Sequence, residues 1–185
     1  LGDTVKTIEG KGTVKKVVTT KGATIETDIV ILAAGVRPNT ELAKEIGVTI
    51  GVTGAVAVNN KMQTNIQDVY AVGDVAESFS AITGKPIYRP LGSTANKMGR
   101  IAGDVITGGN LEHRGVLGTG IFRVFDLHVG QTGMTEKEAK AADYSVEVLY
   151  NIKPDHAEYL GGKELIIKAL ADKATGRVLG AQVLG

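Results

Sequence analysis

TNIQDVYAVGD, residues 64–74, is the stretch whose reading decides the fold. A short apolar run, Val69, Tyr70, Ala71 and Val72, reads as a strand that meets Gly73 and then the carboxylate of Asp74. Such a strand end presents one acidic side chain beside backbone N–H groups that can face a phosphate. The plainer alternative is a strand closing in a Gly-Asp turn. The flanking sequence separates the two.

Upstream, residues 12–20 alternate Val with Thr and Lys, Lys21-Gly22 marks a turn, and residues 24–27 read as the returning strand of a hairpin. DIVILAAG, residues 28–35, predicts a buried strand, because a continuous β-branched run bounded by glycine suits a sheet covered on both faces. Arg37-Pro38-Asn39 breaks it. Asn39 or Thr40 can cap a short helix running through Ile46 and closed by Gly47, and residues 54–58 predict a short strand.

Downstream, Pro86 and Pro90 bound a loop, and a helix follows, capped by Ser93 or Thr94 and ended by Gly108-Gly109. Ala95, Met98, Ala102 and Val105 follow the helical period. Gly99 and Gly103 share one face, a spacing that predicts a close neighbour, either backbone or a flat ligand. Past Asn110 the pattern changes to strands over residues 121–125, 128–132, 145–150, 165–170 and 178–184. Thr135 to Glu138 is a capping box opening a helix, and Asp172 to Gly176 is a hairpin signal. Antiparallel strands with a helix make an α+β unit.

Composition narrows the function classes. At 185 residues the chain holds one to two domains. Its net charge of +1 and its 4% aromatic content give no footprint for nucleic acid. No apolar run approaches a membrane span. With no cysteine there is no disulfide, zinc–thiolate site or cysteine nucleophile within this chain, and a cytoplasmic setting is compatible with that. His113, His128 and His156 lie far apart, so no metal site is expected.

Residues 64–74 resemble the second flavin-binding motif of the FAD-dependent pyridine nucleotide–disulfide oxidoreductases. The resemblance implies that Asp74 hydrogen-bonds a ribitol hydroxyl of FAD, with Gly73 and the amides of Asp74 and Val75 near the pyrophosphate. TDIVILAAGVRPN, residues 27–39, is similar to the exit from that family's nicotinamide-nucleotide domain. PLGSTANKMGR, residues 90–100, is similar to the helix whose N-terminus lies under the pyrimidine end of the flavin. Leu91, Thr94 and Ala95, within residues 91–95, would supply free amides and the positive helix end there. FDLHVGQTGMTEKEA, residues 125–139, is similar to the family's C-terminal dimerisation domain. HAEYLGG, residues 156–162, is similar to a segment of coenzyme A–disulfide reductases in which a tyrosine enters the partner's active site; Tyr159 matches it, and Asn96 matches a coenzyme A contact. Leu160-Gly161 stands where that subgroup often carries Tyr-Pro, which bears on the substrate.

The expected architecture is an α+β dimerisation domain preceded by partial α/β FAD- and NAD(P)-binding segments: residues 1–38 closing the nicotinamide-nucleotide domain, 39–110 the C-terminal part of the FAD domain, and 111–185 a truncated dimerisation domain. No GxGxxG occurs, since Gly10-Lys-Gly12 and Gly118-Thr-Gly120 lack the third glycine, and the family's redox cysteine is absent. An internal fragment of a longer homodimer is therefore expected. The resemblance implies electron flow from NADH or NADPH through FAD to a cysteine centre, then to coenzyme A disulfide or another small thiol/disulfide, peroxide or oxygen, with coenzyme A–disulfide reductases, NADH oxidases and NADH peroxidases as the nearest subgroup. The alternatives are a non-catalytic dimerisation scaffold, and a flavin reductase of the ferredoxin or rubredoxin type.

Overall fold

The computed structural model describes residues 2–185, which divide into two compact units meeting between Arg37 and Pro38. The first unit is a three-stranded antiparallel sheet of β1 (Val5–Glu9), β2 (Lys16–Thr19) and β3 (Thr24–Glu26), in the order β1-β2-β3. The expected hairpin is present as β2 and β3, and β1 pairs with its other edge.

The run DIVILAAG does not form the predicted buried strand. It has no regular structure, and Ile29, Ile31 and Leu32 are 76%, 86% and 74% exposed. A doubly covered strand needs a hydrogen-bonded neighbour and two packed faces. None of the described residues supplies them for this segment.

The second unit opens with α1 (Glu41–Glu45). Thr40 sits at its N-cap without the expected side-chain bond, and Gly47, at φ 81°, closes it as expected. Residues 48–76 form a compact knot of loops. The strands expected over 54–58 and 69–72 are reduced to single bridges, Val56 to Ile50 and Ala76, and Tyr70 to Gln63. Backbone bonds still tie them down: Ala71 N–H donates to Met62 O at 3.1 Å and Val56 N–H to Val75 O at 2.8 Å. The chain then makes a 3-10 turn (Gly73–Val75), a two-residue hairpin of β4 (Ser78–Phe79) and β5 (Pro86–Ile87), and the long helix α2 (Gly92–Ile106).

The inward face of α2 explains its position. Met98, Ile101 and Ala102 are buried against Val48, Val56, Val58, Met62 and Ala76, a single apolar cluster. Gly99 and Gly103 face away from it. A Cβ added at either would meet nothing within 4 Å, so the close neighbour expected from their spacing is not supplied by the described residues.

The C-terminal sheet is antiparallel, in the order β6-β7-β10-β9-β8, from β6 (Gly120–Val124), β7 (Leu127–Gly133), β8 (Val146–Pro154), β9 (Glu164–Asp172) and β10 (Val178–Leu184). It agrees with the predicted strands to within a few residues at each end. The helix α3 (Glu136–Ala141) carries the expected capping box, Thr135 Oγ1 accepting from Glu138 N–H and Glu138 Oε2 accepting from Thr135 N–H. Ala139 of α3 is buried with Leu170 and Leu179 on one face of the sheet. Gly180 permits this, because a Cβ there would stand 2.1 Å from Met134 O.

Among the described residues, no element covers the opposite face. Register places Leu149, Ala169, Ala181 and Thr132 in one row across it, and Asn151, Ile167, Val183, Gly130 and Ile121 in the next. Ile121 is 76% exposed and Leu149 66%.

Candidate functional site

The 3-10 turn at Gly73–Val75 and the first turn of α2 come together. A Cβ on Gly73 would stand 3.5 Å from the Cβ of Ala95, so the two backbones lie a side chain's width apart. Gly73 has φ 75°, a left-handed conformation that glycine adopts without steric cost. Asp74 follows it with an exposed side chain, while Val75 turns inward and packs against the apolar cluster that holds Met98 and Ala102. The glycine thus lets the chain reverse so that Val75 goes in and Asp74 stays out.

The N-terminus of α2 differs from the expectation. Neither Ser93 nor Thr94 caps it. The helix starts earlier, at Gly92, with Leu91 as an extended N-cap that makes no side-chain cap bond. Thr94 is buried instead. Ala95 N–H donates to Leu91 O at 2.9 Å, so Ala95 is removed from the expected set of free amides. Gly92, Ser93 and Thr94 are the leading amides that a helix leaves without an internal acceptor. An uncapped, partly exposed helix start keeps its positive end available to a negative group.

Tyr88 is one of two residues at the site that the sequence does not signal. It lies on the segment between β5 and α2, and its Oη donates to Asp74 O at 3.0 Å, holding the turn in place. Desolvation, with the Asp74 charge second, keeps its phenol pKa above the ordinary value of 10. A tyrosine two residues after a proline carries no signal for this contact; only its nearness to Asp74 in space does.

Glu77 was also not anticipated. It is 4% exposed, and its Oε1 accepts from Thr53 N–H at 2.8 Å and Thr53 Oγ1 at 2.9 Å. It anchors the loop of residues 51–55 beneath the Gly73–Val75 turn, and Glu77 N–H donates to Val56 O at 2.9 Å.

Asn96 is exposed on α2, one helical turn beyond Gly92. Tyr159 is in a 3-10 turn (Glu158–Leu160) on the loop between β8 and β9. Its side chain is 88% exposed and has no hydrogen-bond partner among the described residues. No group of three His, Asp or Glu side chains among the described residues is placed to hold a metal ion, and no helix is long and apolar enough to cross a membrane.

The donor set fits a flavin dinucleotide. An exposed carboxylate can accept from sugar-alcohol hydroxyls. A glycine-led turn allows close backbone approach, and the leading amides of α2 face the same place as a helix end that favours negative charge.

Comparison with known proteins identifies the family. The family model for pyridine nucleotide-disulphide oxidoreductases matches residues 1–99, and that for the pyridine nucleotide-disulphide oxidoreductase dimerisation domain matches residues 120–185. The chain belongs to the pyridine nucleotide-disulphide oxidoreductase family. It is 48% identical to a CoA-dependent NAD(P)H sulfur oxidoreductase of Pyrococcus furiosus over 96% of this chain and 40% of that protein. It is 39% identical to an NADH oxidase of Methanocaldococcus jannaschii over 89% of this chain and 36% of that protein. The structure of an NAD-dependent persulfide reductase from A. fulgidus superposes with a TM-score of 0.92 at 37% identity, covering 99% of this chain and 34% of that one. The chain therefore spans about two fifths of the length of the curated relatives it matches.

Proposed function

We propose that this chain is the flavin-facing and dimer-forming portion of a homodimeric, FAD-dependent NAD(P)H oxidoreductase. The observation that carries the proposal is the packing of the Gly73–Val75 turn against the uncapped start of α2, with Asp74 exposed between them. Asp74 accepts a hydrogen bond from the ribitol, and Tyr88 holds the Asp74 backbone still. Gly92, Ser93 and Thr94 present amides to the pyrimidine edge, with Leu91 fixing the chain's entry. FAD, when bound, supplies the electron transfer between the nicotinamide and a cysteine centre outside this chain. The division at residues 1–38, 39–110 and 111–185 accompanies this reading; the gap between family matches ending at residue 99 and resuming at 120 supports its second boundary.

A second copy covers the bare sheet face. Ile121, Leu149, Ile167, Val183 and their neighbours form an apolar surface of the kind that marks a subunit contact, and the dimerisation-domain match falls on these strands. Tyr159, exposed and unpartnered, then acts at the partner's active site. The acceptor is a coenzyme A-linked disulfide or persulfide. Similarity to the CoA-dependent NAD(P)H sulfur oxidoreductase of Pyrococcus furiosus and the NAD-dependent persulfide reductase of A. fulgidus supports it, as does the resemblance of residues 156–162 to coenzyme A–disulfide reductases. Asn96 on the exposed side of α2 is the corresponding coenzyme A contact.

The exposed DIVILAAG run favours a second reading for the 185-residue polypeptide by itself, as a dimerisation scaffold without bound flavin. The experiment that separates the two titrates FAD into the purified protein and its Asp74→Ala variant, following visible absorption and bound flavin. Stoichiometric uptake that weakens in the variant supports the flavoenzyme portion. Uptake unaffected by Asp74→Ala removes Asp74 from the site, and no uptake leaves the scaffold.

A further inference from the structure

The segment that leads into α2 is held from two sides. On one side Tyr88 Oη bonds Asp74 O at 3.0 Å. On the other, the next residue, Arg89, reaches away to α3, where its Nη2 donates to Glu138 Oε1 at 2.6 Å. The guanidinium stem passes close to Gly118, where an added Cβ would stand 3.2 Å from Arg89 Nε, tighter than an ordinary contact. Glu138 is itself fixed. Its other oxygen, Oε2, accepts from Thr135 N–H at 2.8 Å and Thr135 Oγ1 at 2.9 Å, as the third helical residue of α3 in its capping box. Leu91, the N-cap of α2, is two residues beyond Arg89 with only Pro90 between them. Proline's fixed φ makes that link stiff.

We propose that Arg89 and Glu138 are a positioning pair that sets where the N-terminus of α2 stands, so that the C-terminal sheet and its α3 helix tune the flavin from outside its site. This rests on the FAD reading given above. Neither residue touches the flavin. The chain of contacts is Thr135 and Glu138 on α3, Arg89, Pro90 and Leu91, then the leading amides of α2. A negative charge developing near those amides is favoured by their closeness, and the benefit falls off within the first turn. Loosening the strap therefore weakens the reduced flavin more than the oxidised one. Both side chains are roughly two fifths exposed, so the pair contributes little to overall stability, and its effect on the flavin is separable from its effect on folding.

The test uses the full-length flavin-loaded protein with Arg89→Ala, Arg89→Lys, Glu138→Gln and Thr135→Ala. Glutamine retains a carbonyl for the capping box but loses the charge facing Arg89, and Thr135→Ala weakens the cap while leaving the ion pair. The readouts are the midpoint potential of the bound flavin by dye equilibration, flavin retention, and melting temperature. Arg89→Ala and Glu138→Gln are expected to lower the preference for reduced over oxidised flavin by roughly 2–5-fold. For a two-electron couple that is a shift of about 10–20 mV to more negative potential. Arg89→Lys should recover part of it. Thr135→Ala should lower the melting temperature with a smaller shift in potential. Potentials unchanged in both Arg89→Ala and Glu138→Gln, or shifts that merely track melting temperature across all four variants, would overturn the positioning role. A wild-type protein that holds no FAD overturns the functional reading, and this inference with it.

Discussion

Replacing Gly99 and Gly103 with alanine tests the placement of α2 directly. Both glycines lie inside a 15-residue helix, at positions with ordinary helical backbone rather than positive φ. An added methyl at either meets no atom within 4 Å. The only change is then the intrinsic one. Alanine is favoured over glycine in a helix interior by roughly 0.8–1.0 kcal/mol, because it gives up less backbone freedom. The two sites are one turn apart but share no partner, so their effects should nearly add, to about 2 kcal/mol. For a chain of this size each kcal/mol moves the melting temperature by roughly 2–4 °C, so the double variant should melt about 4–8 °C higher. Thermal and urea unfolding followed by circular dichroism, with an unchanged m-value, is the assay. A lower melting temperature would refute the reasoning, since it would require a contact on that face which the described residues do not make. Repeating the comparison with the flavin-loaded dimer extends it. If a ligand or a second copy lies along Gly99 and Gly103, as their spacing predicts, the two methyls should reduce flavin retention or dimer affinity there while still stabilising the chain alone.

Other expectations are as direct. Val183→Lys, in the middle of the uncovered sheet face, should convert a dimer to monomers in sedimentation velocity while leaving the strand content intact; an unaltered dimer would place the interface elsewhere. Tyr159→Phe should leave reduction of the flavin by NADH unchanged and slow turnover of a disulfide substrate, and wild-type turnover would make this tyrosine structural. Acid should destabilise the fold in two windows. His113 is buried, and burial first, with Lys97 second, lowers its pKa below 6.5, so the unfolded chain binds the proton more readily and stability falls as pH drops below about 6.5. Glu136 is held at about 2 by hydrogen bonds from Lys140 and Lys168, so its contribution is complete above 4.5 and is lost as pH falls from there towards 2. Melting curves from pH 7.5 to 2 on His113→Gln and Glu136→Gln check both, each variant flattening its own window and a flat wild-type profile contradicting the assignment.

What could be read without coordinates was what local chemistry settles. The Thr135–Glu138 capping box is four consecutive residues satisfying each other's backbone, and α3 begins where they say. The turn at Asp172 to Gly176 sets the register of β9 against β10, and strand alternation then fixes which side chains share a face. Met98, Ala102 and Val105 on α2 followed the helical period into the core for the same reason. The Gly73-Asp74 pair stood out through its family resemblance, since the two residues alone suit a plain Gly-Asp turn equally well; the positive φ of Gly73 is seen in the structure.

Tertiary structure decided everything that needs a partner distant in the chain. DIVILAAG has the composition of a central strand, but composition cannot provide the neighbouring strands, and in this chain the run lies open. Thr94 looked like a cap and is instead a buried residue inside α2, because the helix starts two residues earlier, at Gly92. Tyr88 on Asp74, Thr53 on Glu77 and Arg89 on Glu138 bridge 14, 24 and 49 residues of sequence. No spacing rule reaches that far. A hydrogen bond across such a separation exists only after the chain between has folded.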